Sequence, residues 1–223
     1  MADAKKWLAK DAQAILRHND RSSPHTKFKE NIDPSRSHLN YDLIDRNMTA
    51  YDYYWLRRQE VHCHHRADMK PLASWVITQP SDLEMQDQEA FFKACYTFIV
   101  DRYGNGSDRN FVQATVHLDE TTPHIHVLFL PVVHDAQKGY DKICMSDTLN
   151  RDDLTTFHPD LQRYLRAEGF SCRVLTGVTK ANGGNKTISQ LKAETSIDQT
   201  HEVDRWSSVE VQHTVEVERG RWT

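Results

Sequence analysis

The chain has 223 residues, 38% of them hydrophobic, and a formal net charge of −4 at pH 7. That length supports one sizeable core, while the composition excludes a membrane-spanning bundle, a generally basic nucleic-acid binder and a secreted disulfide scaffold. Cys63, Cys95, Cys144 and Cys172 are widely spaced with no Cys-x-x-Cys pair, no signal peptide is visible, and the expectation is a cytoplasmic protein with reduced thiols.

In chain order, residues 4–17 read as a helix, with Trp7, Leu8, Ala12, Ile15 and Leu16 at helical spacing. His18 and Arg21 continue that register three residues apart. A polar loop over 22–31 leads to Asp33-Pro34-Ser35, which is turn chemistry, and the segment re-enters a strand near Tyr41. Residues 47–66 set Tyr51, Tyr53, Tyr54 and Trp55 beside Arg57, Arg58 and Arg66. Aromatics beside cations suit stacking on unpaired bases with phosphate contact. The same pattern also fits a helix with an aromatic core face and a solvated basic face. The run His62-Cys63-His64-His65 lacks cysteines at zinc-finger spacing and reads as no metal site.

A strand is expected over 75–78 and a long helix over 82–103, stopped by Gly104. A further strand is expected over 140–146. A helix over 150–168 restarts at Pro159, which a first turn tolerates, and stops at Gly169. Residues 170–175 read as a strand, 182–185 as a Gly-rich turn and 187–195 as a helix. Residues 196–223 alternate valine with acid and read as a tail. From Glu194 onward there are seven acidic and three basic residues, so the remainder is neutral, with basic flanks around an acidic middle. Strands and helices interleave through hairpin links, which predicts an α+β fold with a central antiparallel sheet flanked by helices.

The chemistry concentrates in His117-Leu118-Asp119-Glu120-Thr121-Thr122-Pro123-His124-Ile125-His126. β-branched, apolar runs flank this segment, so it reads as a hairpin with histidine at both sides of its mouth. Side chains alternate on a strand, which puts His124 and His126 on one face, and His117 can complete three imidazoles. Three histidines with open positions describe a catalytic metal site rather than a closed structural one.

His124-Ile125-His126 resembles the paired-histidine motif of the HUH endonucleases, and HLDETTPHIH resembles the metal motif of plasmid mobilisation relaxases of the Mob/Pre (MobV) family. NIDPSRSHLNYDL and His18-Asn19-Asp20-Arg21 resemble two further motifs of that family, and the likeness covers about residues 14–195. The resemblance implies a relaxase domain over 1–195 with 196–223 as a tail. It implies nicking of one DNA strand at an origin of transfer with Mn²⁺ or Mg²⁺, on single-stranded or hairpin DNA. It places the metal on His117, His124 and His126 and the nucleophile on His18. Arg21 then lies at the scissile phosphate, and Glu120 holds the nucleophile's second ring nitrogen. Arg36, Arg66, Tyr41, Tyr51, Tyr54, Trp55, Arg57 and Arg58 are the expected DNA contacts. Relatives begin with a strand before the first motif, whereas residues 4–17 here read as helix, so a sheet strand is unaccounted for. A tyrosine is the rival nucleophile. The alternatives in other classes are a non-cleaving origin-binding autorepressor and a tri-His metalloenzyme acting on a small molecule.

Overall fold

A computed structural model describes residues 2–21, 32–64 and 66–174, all within one compact unit, Met1–Thr176. Its frame is a five-stranded, fully antiparallel sheet in the order β1-β3-β5-β4-β2. The strands are β1 (Ala2–Trp7), β2 (Tyr41–Asp42), β3 (Leu72–Thr78), β4 (Phe111–His117) and β5 (His124–Phe129). Helices α1 (Ala12–Asp20) and α2 (Ala50–Glu60) pack on one face of the sheet. Helices α3 (Gln88–Gly104) and α5 (Arg151–Ala167) cover the other. A separate hairpin, β6 (Val132–Asp135) with β7 (Tyr140–Ile143), leads into a single helical turn, α4 (Met145–Thr148). Among the described residues no helix is long and apolar enough to cross a membrane.

The strand that the sequence leaves unaccounted for is β1, where a helix over 4–17 is expected. Only Ala12 onward is α-helical, after a 3-10 turn at Ala9–Asp11. Residues 2–7 follow a period of two. Ala2 and Ala4 pair with Ile77 and Trp75 and turn inward, while Lys5 lies over the Trp7 ring on the opposite side. Small inward residues fit because the neighbouring strand supplies the large one, Trp75, which is 1% exposed.

The central hairpin forms as the sequence predicts, with one feature that decides its chemistry. The register of β4 against β5 shifts between Phe111 and Gln113. Phe111 packs in the α3/α5 core, Val112 packs with α1 and α2, and Gln113 again bonds to α1. Two consecutive residues therefore serve one face, as a bulge permits. Without that extra residue every later side chain of β4 would swap faces, and His117 would point into the apolar core.

Three further expectations change. The long helix starts at Gln88 rather than Asp82, behind a 3-10 turn. α5 runs through Pro159 instead of restarting there. An interior proline costs about 3 kcal/mol, and burial of Phe157, Leu161 and Leu165 offsets it. The Phe157 ring lies parallel to Trp75 at 3.5 Å. Phe157→Ala is expected to cost about 3–5 kcal/mol in urea unfolding; a cost below 1 kcal/mol would show that this stack is not what carries α5 across its proline. Residues 171–174 form no strand. Val174 N–H donates to Gln162 and Gln162 donates to the Cys172 carbonyl, so a helix side chain replaces the ladder partner. Residues 182–195 and 196–223 lie outside the described residues.

Candidate metal centre

β4 and β5 bring the three histidines together by register. His117 sits opposite His124, and Thr115 sits opposite His126, so the three imidazoles share the α1 face. Their ring centroids lie 4.8–5.2 Å apart. One donor nitrogen from each lies within 4.8 Å of the others.

Backbone carbonyls fix the direction of two rings. His117 Nε2 donates to the Asn19 carbonyl at 2.8 Å, and His124 Nδ1 donates to the Thr122 carbonyl at 2.9 Å. A carbonyl only accepts, so the protons are on those nitrogens and the lone pairs are on His117 Nδ1 and His124 Nε2. His124 Nε2 is 3.0 Å from His126 Nε2. Two nitrogens bound at right angles to one ion with bonds of about 2.1 Å would also stand about 3.0 Å apart. The donor set therefore fits a divalent ion, and Mn²⁺ or Mg²⁺ would be held by His117, His124 and His126. Burial first, then the neighbouring histidines and Arg21, pushes His126 well below the ordinary imidazole range. Burial also lowers His117 to about 4, against the opposing bond to Asn19. Both rings are thus neutral, as ligands must be.

The second cluster is built on Arg21, at the C-terminal end of α1. Arg21 has a left-handed backbone with φ 53°, rare for a bulky residue. Its guanidinium folds back and Nη1 donates to the His18 carbonyl at 2.9 Å, with the His18 ring 3.4 Å away. Nε and Nη2 each reach Asp119 at 3.0 Å, and Nη2 also reaches Glu120 at 2.7 Å. Glu120 lies 3.8 and 3.9 Å from ring nitrogens of His117 and His124. His18, Arg21, Glu120 and the three histidines, predicted from separate motifs, therefore form one contiguous site. Glu120 has Arg21 as its close partner here, a contact the sequence reading does not anticipate.

Asp119, whose phase in the hairpin reads as a supporting position behind the ligands, is more deeply engaged than Glu120. It is 0% exposed. Burial alone would push its carboxyl up, but hydrogen bonds from Arg21 and Ser37 and the adjacent Asn40 amide outweigh it and hold it well below the usual range. Asn40 Oδ1 accepts from Leu118 N–H at 2.8 Å. Ser37 and Asn40 belong to the SRSHLN stretch, whose expected role lies with Arg36 and Tyr41. The signal was therefore present, but on neighbouring residues.

The expected DNA contacts divide. Arg36 and Arg66 are exposed, as that role requires. Trp55 is 40% exposed and carries the Arg58 guanidinium 5.0 Å above its ring. Tyr51 is half-buried beside it. Tyr54 and Arg57 are corrections. Tyr54 is fully buried in the core between α1, α2 and the sheet, because a one-sided helix must bury its aromatic stripe. Arg57 is 3% exposed and is consumed by Asn110 and Glu60. Tyr41 is also corrected, as a contact and as a rival nucleophile. It pairs with Val116, whose side chain faces the α3/α5 core, so its ring lies across the sheet from the histidines. Burial, then the charge of Glu89, raises its hydroxyl to about 12.

Comparison with known proteins gives a family and a fold. The family profile Mob_Pre, described as plasmid recombination enzyme, matches residues 1–193. A plasmid recombination enzyme of Bacillus thuringiensis is 28% identical over 92% of this chain and 44% of its own length. One of Lactiplantibacillus plantarum is 31% identical over 84% of this chain and 51% of its own length. The chain spans about half the length, or less, of these curated relatives. Two Mn-bound crystal structures of the MobM relaxase domain (MOBV; Mob_Pre) with plasmid pMV158 oriT DNA share the fold. One matches with a TM-score of 0.67 at 28% identity, over 86% of this chain and 98% of that one. The other matches with 0.66 at 27% identity, over 87% and 97%.

Proposed function

The chain belongs to the Mob_Pre family of plasmid recombination enzymes, and on that premise we propose that it is a relaxase, nicking and rejoining one DNA strand at a plasmid origin of transfer. We assign the reaction to residues 1–195, with 196–223 as a tail, and a plasmid substrate places it in the cytoplasm. The observation that carries this reading is the meeting of His18 and Arg21 with the three convergent imidazoles, from segments about a hundred residues apart.

His18 supplies the nucleophile. Its ring nitrogen forms an N–P bond to the scissile phosphate as the P–O3′ bond breaks, and the departing oxygen takes a proton to become a free 3′-hydroxyl. The reverse attack by that hydroxyl reseals the strand. Arg21, oriented before substrate arrives by its fork on Asp119, keeps Nη1 beside the His18 ring for the phosphoryl oxygens. To Glu120, which bonds Arg21 at 2.7 Å and lies 3.8 Å from the His117 ring, we assign the proton on the nucleophile's second ring nitrogen. Bound Mn²⁺ or Mg²⁺ would supply Lewis-acid polarisation of the scissile phosphate. A non-cleaving origin binder has no use for this arrangement.

Recognition is tested with the pMV158 origin strand, as a hairpin bearing a single-stranded arm, against the same sequence fully paired. A phosphate within intact duplex cannot reach histidines sunk beside α1, so the hairpin is expected to bind tighter, with affinity falling steeply as salt rises. Trp55→Ala should weaken hairpin binding by about 1–3 kcal/mol, the range for one stacked base. Equal binding of hairpin and duplex by fluorescence anisotropy would remove the basis for stacking by Trp55 and Tyr51.

A further inference from the structure

We propose that Asp119 is the positioning residue of Arg21, and that Ser37 locks it in that role. Its catalytic consequence rests on the relaxase reading; the geometry does not. Arg21 has two carboxylate partners, and they are not equivalent. Glu120 takes one bond from Arg21, at Nη2, and its side chain is 16% exposed. Asp119 takes two parallel bonds, Nε to Oδ2 and Nη2 to Oδ1, each 3.0 Å, and its side chain is 0% exposed. A single bond leaves the guanidinium plane free to turn, whereas a fork on both carboxylate oxygens fixes it.

The plane matters because Arg21 is the link between two elements. Its left-handed backbone ends α1, and Nη1 holds the His18 carbonyl at 2.9 Å. Asp119 therefore ties the last turn of α1, which carries His18, to the hairpin that carries the three metal-ligand candidates. Asp119 is itself held from outside. The Ser37 hydroxyl donates to Oδ2 at 2.7 Å, Asp33 N–H donates to the Asp119 carbonyl at 2.7 Å, and Leu118 N–H is held by Asn40. The 3-10 segment Pro34–Leu39 thus has a job independent of DNA: through Ser37 it backs the carboxylate that holds the arginine.

The test is the Asp119→Asn variant, which keeps shape and removes the charge, beside Ser37→Ala, which keeps the charge and removes one bond. The side-chain Nε–H resonance of Arg21 reports the fork directly in nitrogen-15 NMR. It is expected to be protected from exchange in the wild type, partly exposed in Ser37→Ala and unprotected in Asp119→Asn. Single-turnover nicking, on an origin strand selected by the wild-type chain, should slow about 10–100-fold in Asp119→Asn, the usual effect of losing an orienting partner. Mn²⁺ affinity by calorimetry should be unchanged. In an Arg21→Lys background, Asp119→Asn should add no further loss of rate, which a merely structural role would not predict. An Arg21 resonance that stays protected in Asp119→Asn overturns the proposal. So does a parallel fall in Mn²⁺ affinity, because His117, Asp119 and Glu120 also converge closely enough to hold an ion, and Asp119 would then be a ligand. If Asp119→Asn does not fold, Ser37→Ala decides by the same resonance. A wild-type chain that cuts no DNA would fail the relaxase reading, while the resonance still decides the anchor.

Discussion

Replacing His126 by alanine is expected to abolish strand cleavage and to weaken Mn²⁺ binding by more than about 100-fold, since losing a ligand should exceed the 10–100-fold typical of losing a ligand's partner. The fold should survive. His126 lies mid-strand on β5, held by its backbone between Val76 and Thr115, and its ring faces the site rather than the apolar core. Truncation therefore removes a donor without opening a cavity in packed hydrophobic contacts. His134→Ala is the control. That ring is 63% exposed on β6 and pairs with Asp141, away from the central hairpin, so cleavage and Mn²⁺ affinity should not change. Calorimetry with MnCl₂ on both variants, with circular dichroism to confirm folding, is sufficient. Undiminished Mn²⁺ affinity in His126→Ala would remove His126 from the ligand set and leave two histidines, one nitrogen short of a tri-His site.

The central hairpin was legible because its signals are local: alternation, a turn at Thr121-Thr122-Pro123, and histidines spaced by the strand period. What could not be read was long-range. The bulge at Phe111–Gln113 sets the face of His117, yet only the pairing with β5 shows it. β1 reads as helix because Trp7 and Leu8 happen to extend the apolar stripe of α1. Its identity depends on Trp75 in a strand about seventy residues on. In α2, composition favoured Tyr54 and Arg57 as ligands for DNA, and burial decided otherwise, since both lie on the helix face that meets β4. The phase of the hairpin gives Asp119 a supporting position but not its burial, because a hairpin tip is ordinarily solvated. The segment that closes over this one comes from Asp33 to Asn40, far away in sequence.

The nucleophile gives the sharpest expectation. His18→Ala should form no covalent DNA adduct, and the wild-type adduct should fall apart in mild acid. The reason is the bond. Attack by an imidazole nitrogen makes a phosphoramidate, and protonating the other ring nitrogen turns the ring into a good leaving group. A tyrosine ester has no such proton to gain and should survive the same treatment. Position favours His18, because Arg21 grips its carbonyl and reaches its ring while facing His117 with another nitrogen. Of the tyrosines the sequence offers as rivals, Tyr41, Tyr51, Tyr53 and Tyr54, two are closed off. Tyr41 lies on the opposite face of the sheet and Tyr54 is fully buried. The adduct is trapped on a labelled origin strand, denatured and divided, with one half held at low pH before gel analysis. His18→Tyr should recover some adduct, now stable to acid. Glu120→Gln should slow adduct formation while Mn²⁺ stays bound, if the carboxylate takes the ring proton of His18; full activity would leave Glu120 only its bond to Arg21. An acid-stable wild-type adduct that still forms in His18→Ala would move the role to a tyrosine. Tyr51, half-buried on α2, would then be first in line.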